Sequence, residues 1–594
     1  MKRLKKIKIT LLFILFIFSI NSFSQFSKTH YIPPIGTQGQ GSGTPQIQYM
    51  YISTPNENPI DVIITPIGGE PITVSISNSS PYEYFIGDGN QTNFIALSED
   101  SGQTFNNKGF IVEGEDLVYV SARLFTSDAY YQAAGLVSKG LAALGKTFRV
   151  GTFENLGDDM SNSFLNFVTV LATEDNTTVN FSDFGNGVTI VNNAPINDVI
   201  LNSGESYLVA IKPGDNINNS DGLIGVLVES DKPIAVNSGS ITGSNANTTT
   251  DSNGQDAGVD QIVPIERIGT EYIFVRGIGP DQIERPLIVA HEPDTEVYVN
   301  GTLEYTIAQA GEHWSIPSSF YGVSYDQYGQ GPEIGVSSNM YVETSKPVFA
   351  YQVIGGIRPG TEGPFGAGTG IPNQGLFFVP PINCQTPSIV NNIAAINKLG
   401  PDYAFGGVVT IVTETGSTVL INGNDISDYA GDVQPVNGNP LFETYTVEGL
   451  TGNVSIVSSS QVYVASFGAY DYATFGGYYS GFAYKPEIVL EEISVGSEGC
   501  IPNLELRLNS ISIFDQYQWY FNGEMIDGAI GNSFTPTEPG YYQISGAVDD
   551  CEGILLSDNI PVSACPPDTD LDGVNDNIDI DIDNDGILNC EESL

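Results

Sequence analysis

Four stretches, spaced almost evenly, constrain this chain's fold more than any single residue. The clearest is Val228-Glu229-Ser230-Asp231-Lys232-Pro233-Ile234-Ala235-Val236. Its nearest echo is Val342-Glu343-Thr344-Ser345-Lys346-Pro347-Val348-Phe349-Ala350, with weaker copies from Val457 to Ala465 and from Val112 to Val120. The leading valines stand at 112, 228, 342 and 457, steps of 116, 114 and 115 residues. β-Branched and aromatic residues flank a short polar tetrad each time, the pattern of a hairpin. A step this regular marks an internal repeat, which decides architecture first.

Other landmarks keep the same order inside each unit. Ala172 to Val179, Ala290 to Val297 and Val412 to Val419 share a Glu-containing polar turn, read as a second hairpin. Eight residues after that Glu, two units carry Asn-Gly, at Asn300-Gly301 and Asn422-Gly423. That dipeptide favours the positive φ angles of tight turns. With 66 Gly, 34 Pro, 30 Tyr and 30 Phe, the composition is that of a turn-rich β protein. One short helix is expected between Tyr131 and Leu144.

The expected fold is therefore all-β: four tandem repeats of about 115 residues, each a β-sandwich or jelly-roll-like unit, at roughly 47–160, 161–280, 281–400 and 401–490. A propeller is the alternative, but a blade needs only about 40–50 residues. Residues 25–46 form a Gly-, Gln- and Pro-rich leading segment. The long polar stretches Gly239 to Asp256 and Gly355 to Gln374 interrupt the pattern, and such loops carry function more often than strands do.

Residues 1–24 read as a signal peptide. Lys2, Arg3, Lys5, Lys6 and Lys8 precede an apolar run from Ile9 to Ile20, and Ser22-Phe23-Ser24 supplies small residues before a cut at Gln25. Cleavage leaves 16 basic against 70 acidic side chains. Such a surface repels nucleic acid and anionic membranes and suits divalent cations. No membrane insertion is expected after cleavage. The expected location is secreted, extracellular or outer cell surface.

The run Ser230 to Gly239, followed by Asp260-Gln261-Ile262-Val263-Pro264, Gly269 and Tyr272-Ile273-Phe274-Val275, resembles the IgGFc-binding protein N-terminal domain family. Gly375-Leu376-Phe377-Phe378-Val379-Pro380-Pro381 fits the same pattern one unit later. The resemblance covers about residues 47–490. The family occurs in mucus proteins and bacterial surface proteins, and its name implies antibody Fc binding.

Residues 497–565 read as an immunoglobulin-like β-sandwich. Trp519 is its expected core tryptophan, and Gly540-Tyr541-Tyr542-Gln543-Ile544 resembles a tyrosine corner. The four C-terminal cysteines, Cys500, Cys551, Cys565 and Cys590, could form bridges, with Cys500 and Cys551 at the module's two edges, which leaves Cys384 expected as buried and unpaired.

The sharpest chemical signal lies in residues 566–594. Asp568, Asp570, Asp572, Asp576 and Asp579 fall at loop positions 1, 3, 5, 9 and 12, with Gly573 at the sharp turn and Val574 offering its carbonyl. A second loop uses Asp581, Asp583, Asp585, Ile587, Asn589 and Glu592. This oxygen spacing suits Ca2+, which takes six to eight such ligands. Without flanking helical pattern, the loops look like thrombospondin type 3 repeats.

Catalytic constellations are thin. His30, His291 and His313 sit where structural roles suffice, since two of them replace plain polar residues of other units. Gly239-Ser240-Ile241-Thr242-Gly243 places serine one position early for a nucleophile elbow. The expected function is non-catalytic: adhesion or recognition at a bacterial surface, binding an extracellular glycan, glycoprotein or matrix protein through repeat loops, with a calcium-stiffened C-terminal segment. The alternative is an extracellular glycan-active enzyme that uses the repeats as a binding scaffold. The chain is also expected to be the front of a longer architecture, or to be held by a partner.

Overall fold

The structure is a computed structural model. It describes residues 27–565 except 40–43, 127–131, 157–162, 196–197, 247–254, 324–337, most of 356–373, 385, 430–432, 471–472, 483–487, 493–499, 503, 509–515, 548–554 and 558. Beyond 565 it describes Thr569, residues 580–583 and Ile587. Every regular element among the described residues is a β-strand or a short 3-10 turn. Two compact units divide the chain: Phe23–Lys485 with Gly546–Ser557, and Met1–Ser22, Pro486–Ser545 and Asp558–Leu594.

The larger unit is organised by long strands. Phe110–Phe125, Leu227–Gly243 and Asn339–Ile354 are each 16 or 17 residues long and run straight through the polar tetrads. The tetrads are therefore not hairpin turns, as the sequence suggested. They are bends within one strand. Opposite the second strand, Gly145 pairs with Ile234 and Thr147 with Glu229, so Ser230 to Pro233 bulge out against the single residue Lys146. The third strand does the same: Gly269 pairs with Val348 and Glu271 with Glu343. Pro233 and Pro347 carry no N–H, so a regular ladder cannot continue through them, and a bulge bends the strand there.

The bend lets one strand pair differently along its two halves, so that a single sheet folds over at the corner. In the second block, residues 227–230 pair with Val179–Ser182 of strand Thr177–Ser182, while residues 234–241 pair with Leu165–Ala172. Those two partners do not pair with each other, so the upstream turn Thr173 to Asn176 is a corner too, not a hairpin. Corner and bulge lock together. Thr173 Oγ1 donates to the Pro233 carbonyl at 2.7 Å, and Lys232 Nζ donates to the Asp175 carbonyl. The second block takes in strand Gly145–Arg149 and the residues after it, and the fourth begins at strand Ile389–Ile393, which pairs with part of its long strand; that long strand is broken into Val454–Ser458 and Val462–Tyr470. The Asn-Gly turns do form: Asn300 and Asn422 take φ 51° and 49°, closing the pairs Val299–Thr302 and Ile421–Asn424.

The residues expected as a leading segment carry strands Ser27–Ile32 and Ile35–Thr37, the first of which pairs along the first long strand. The helix expected between Tyr131 and Leu144 is instead strand Ala133–Val137 and a 3-10 turn, Gly140–Ala143. Short apolar runs do not distinguish helix from strand by periodicity, and here pairing to the long strand decides.

The blocks close into a ring. Ala133–Val137, Asp256–Ile262, Gly375–Phe378 and Ala473–Tyr478 occupy equivalent places, each pairing with its own block's long strand. Each also touches the equivalent strand of both neighbouring blocks, the last returning to the first. Glycine permits this approach: a Cβ on Gly477 would lie 2.6 Å from Val137 Cγ2, and one on Gly258 2.7 Å from Leu376 Cβ. Apolar seams hold the joints, with Phe148, Val289 and Tyr351 in one shared core and Met340, Val412 and Phe467 in another. At the closing joint, Arg123 donates to the carbonyls of Ala394, Ala395 and Lys398 at 2.6–2.9 Å.

In the smaller unit, Leu504, Leu506, Trp519 and Ile544 form the core, with Trp519 fully buried. Tyr542 donates to the Glu538 carbonyl at 2.8 Å, four residues upstream. Cys500 bridges to Cys565, not to Cys551. Cys384 is exposed and itself disulfide-bonded, not buried and unpaired. Cys551 and Cys590 lie outside the described residues.

Candidate functional site

The ring axis is built on two carboxylates. The strand Asp256–Ile262 is otherwise apolar or small on its axial face, where Asp256, Gly258 and Asp260 alternate. Asp256 is fully buried, and each of its oxygens accepts two backbone N–H groups. Oδ1 takes Ala133 and Ala257 at 2.9 and 2.8 Å, and Oδ2 takes Gln374 and Thr474 at 3.2 and 2.9 Å. One side chain thus joins four segments of the ring. Burial pushes its pKa up, while the four N–H donors pull the other way. All four partners are donors, which an acceptor-only carboxylate satisfies in full.

Asp260 repeats the arrangement two pleat repeats along the same face. It accepts Val137 and Gln261 N–H at Oδ1, and Phe378 N–H and Lys139 Nζ at Oδ2, the ammonium at 2.5 Å. Lys139 and Asp260 are both without exposed side-chain surface. Burial lowers the pKa of Lys139 and raises that of Asp260, and each is opposed by its partner's charge. Gln261 continues the network: its amide oxygen accepts Ser138 Oγ and Lys139 N, and its amide donates to the Tyr31 carbonyl.

The two long polar stretches are rooted here. Gly239 to Asp256 leaves the second long strand through Ser244 and Asn245 and returns at Asp256. Gly355 to Gln374 leaves the third and returns at Gln374. The roots are tied together: Asn245 N donates to Gln374 Oε1 at 2.7 Å, and Gln374 Nε2 to Ser244 Oγ at 3.0 Å. The outgoing root of the second stretch is fixed by Glu284, whose carboxylate accepts the N–H groups of Gly277, Gly279 and Gly355 at 2.7–3.0 Å. Burial pushes the Glu284 pKa up to about 7, against the pull of Arg276 and those N–H groups. Beside them, Arg285 ties the second and third blocks by an ion pair to Glu154 at 2.9 Å and a bond to the Asn245 carbonyl at 3.1 Å. Burial opposes ionisation of Glu154, but His313 and Arg285 together hold its pKa below the ordinary value.

His313 lies 3.6 Å from Glu154 across that joint. His30 is buried, with Nδ1 on Ser138 Oγ and Nε2 on the Ser27 and Val118 carbonyls, and burial lowers its pKa to about 4. Ser240, from the near-match to a nucleophile elbow, donates to Asn166 Oδ1 and accepts Phe153 N–H inside the ring. Of the calcium candidates, Asp581 is half-buried, and Asp583 and Ile587 are exposed. Asp568, Asp570, Asp572, Val574, Asp576, Asp579, Asp585, Asn589 and Glu592 lie outside the described residues, as do the signal segment, residues 247–254 and most of 356–373. Among the described residues no three His, Cys, Asp or Glu side chains form a metal-type cluster, and no helix is long and apolar enough to cross a membrane.

Sequence reasoning placed the polar stretches but missed Asp256 and Asp260 as the axis. The available signal was an acidic pair at i, i+4 in one short strand, with glycine midway between on the same face.

The sequence model of the family described as IgGFc binding protein matches residues 134–468, more than half of the chain. No curated protein matches it. Among solved structures, Sidekick-1 immunoglobulin domains 1–5 are similar at 9% identity and a TM-score of 0.10, over 90% of this chain and 100% of that one. Trypsin-activated α2-macroglobulin from Escherichia coli is similar at 9% identity and a TM-score of 0.11, over 93% of this chain and 50% of that one. The native form of the E. coli protein gives 10% identity and a TM-score of 0.11, over 92% and 41%.

Proposed function

The chain belongs to the IgGFc-binding protein family, and from that premise we propose that it is a non-catalytic adhesion or recognition protein of a bacterial surface. It captures an extracellular glycoprotein, glycan or matrix protein through the segments that leave the ring axis. One observation carries this reading: Asp256 and Gln374 bring the ends of the two longest polar stretches to one place. A rigid scaffold that gathers loops at one end is a common design for binding surfaces. The buried histidine and the structurally engaged serine give no support to the glycan-active alternative.

The test is surface binding of the mature chain to IgG Fc and to a panel of mucin-type glycoproteins. Replacing residues 247–254 and 356–373 by short Gly/Ser linkers is expected to weaken capture at least about tenfold, or roughly 1.4 kcal/mol. The unfolding midpoint should stay unchanged. Full capture by the linker variant would contradict the reading.

The finer organisation follows the same premise. The ring comprises four copies of one block, the Trp519 module is immunoglobulin-like, and residues 1–24 direct export. The tail after Cys565 binds Ca2+ in two thrombospondin type 3-like loops. Its donors are carboxylates, an amide and backbone carbonyls, a set that suits a hard cation. The ion compensates the crowded negative charge and drives folding of the tail. With chelator, proteolysis is expected to open only the region after about Cys565, and Asp572→Ala should weaken the first loop most. Equal tail cleavage with and without calcium would refute the site.

A further inference from the structure

We propose that the cleft at the joint closing the ring, between the first and fourth blocks, is a binding site for a neutral saccharide. Its lining differs from the loop roots at Asp256, and it stands without them. The cleft encloses about 380 Å3, within the range of about 300–1,000 Å3 usual for small-ligand sites.

One wall comes from Ser79 to Glu83 of the first block; the other comes from Ala394, Ala395 and Lys398, with Asn453 beside them. The exposed Glu83 carboxylate, the Ser80 hydroxyl and the Lys398 ammonium make no side-chain hydrogen bond or ion pair among the described residues. An acceptor, a hydroxyl and a donor thus line one concavity, the complement of a ring of sugar hydroxyls. Glu83 and Phe85 point to the same side of their strand, two residues apart. Phe85 is 53% exposed and packs on Tyr49 with ring centroids 5.1 Å apart. Phe85 stands outside the lining, next along the same strand face as Glu83, and its open ring offers a rim to the apolar C–H face of a hexose, since such rings combine large contact area with fixed geometry.

The floor is rigid. The Arg123 guanidinium lies 4.1 Å from the Tyr51 ring and 4.7 Å from the Phe475 ring. Its hydrogen bonds to the carbonyls of Ala394, Ala395 and Lys398 hold the far wall from beneath. Asn453 Oδ1 accepts Ala395 N–H at 3.0 Å and fixes the same wall from its end. A wall held this way needs no ordering when ligand arrives, which removes part of the usual cost of binding. The ligand is assigned as neutral because the cleft carries one charge of each sign and the chain carries a net −49, a field that disfavours anionic sugars.

The experiment is an array of mannose-, galactose- and N-acetylglucosamine-terminated neutral oligosaccharides beside sialylated and sulfated ones, probed with the mature chain. Binding to a neutral class is expected, weakened about tenfold or more in Phe85→Ala and separately in Lys398→Ala, with unchanged thermal unfolding. Both side chains are exposed, so either variant alone keeps the test valid if the other fails to fold. No neutral binding, binding only to anionic glycans, or equal binding by both folded variants would overturn the assignment. The linker variant lacking 247–254 and 356–373 should still bind the neutral array. Glycoprotein capture lost there but kept in the cleft variants concerns the loops alone.

Discussion

An Asp260→Ala variant is expected to lose about 3–5 kcal/mol of stability, the usual result of removing one partner of a buried ion pair. The substitution strands the Lys139 ammonium, which has no exposed side-chain surface. It also leaves the N–H groups of Val137, Gln261 and Phe378 without their carboxylate acceptor. Against a typical total of about 5–15 kcal/mol, that loss brings the larger unit near unfolding. Adding Lys139→Met removes the stranded charge, so the double variant should recover part of the loss. Urea unfolding of the mature chain, single and double, checks both statements. An Asp260→Ala midpoint equal to that of the parent would show that the ion pair does not hold the ring.

Asp256→Asn is expected to cost about 2–6 kcal/mol, although it adds no volume. The amide oxygen keeps two N–H partners, but the amide nitrogen turns two donors toward the other two. Each buried N–H left unsatisfied costs about 1–3 kcal/mol. The four partners belong to four blocks, so the damage is shared around the axis. Urea unfolding measures the loss, and an unchanged midpoint would oppose the role given to this carboxylate.

Much of the fold was legible because it is local. The Asn300-Gly301 and Asn422-Gly423 turns follow from residues that accept positive φ. The even spacing of Val112, Val228, Val342 and Val457 marks equivalent points of the long strands and of the broken fourth strand. What misled was the polar tetrad. Apolar alternation on both sides of Ser230 to Pro233 looks alike whether the chain reverses or only bends, because the pattern carries no information on what pairs across it. The strand Ser27–Ile32 was hidden by the Gly-, Gln- and Pro-rich composition around it. Its pairing partner lies some 80 residues away in the first long strand. Ring closure was illegible for the same reason: Arg123 meets Ala394, Ala395 and Lys398 across more than half of the blocks' length. At the candidate site, the loops announced themselves by polarity, whereas Asp256 looked like the end of a polar loop and was marked only by its spacing from Asp260 across Gly258.

Amide hydrogen exchange in the parent chain and in Asp256→Asn tests most directly that one buried carboxylate joins the blocks and gathers the loop roots. The amides of Ala133, Gln374 and Thr474 lie far apart in sequence, and each donates to Asp256. In the parent, all three should exchange only through the opening of the whole ring, at a common and slow rate. In Asp256→Asn all three should lose protection together. Fast or mutually independent exchange in the parent, or protection that survives the substitution, would contradict the account.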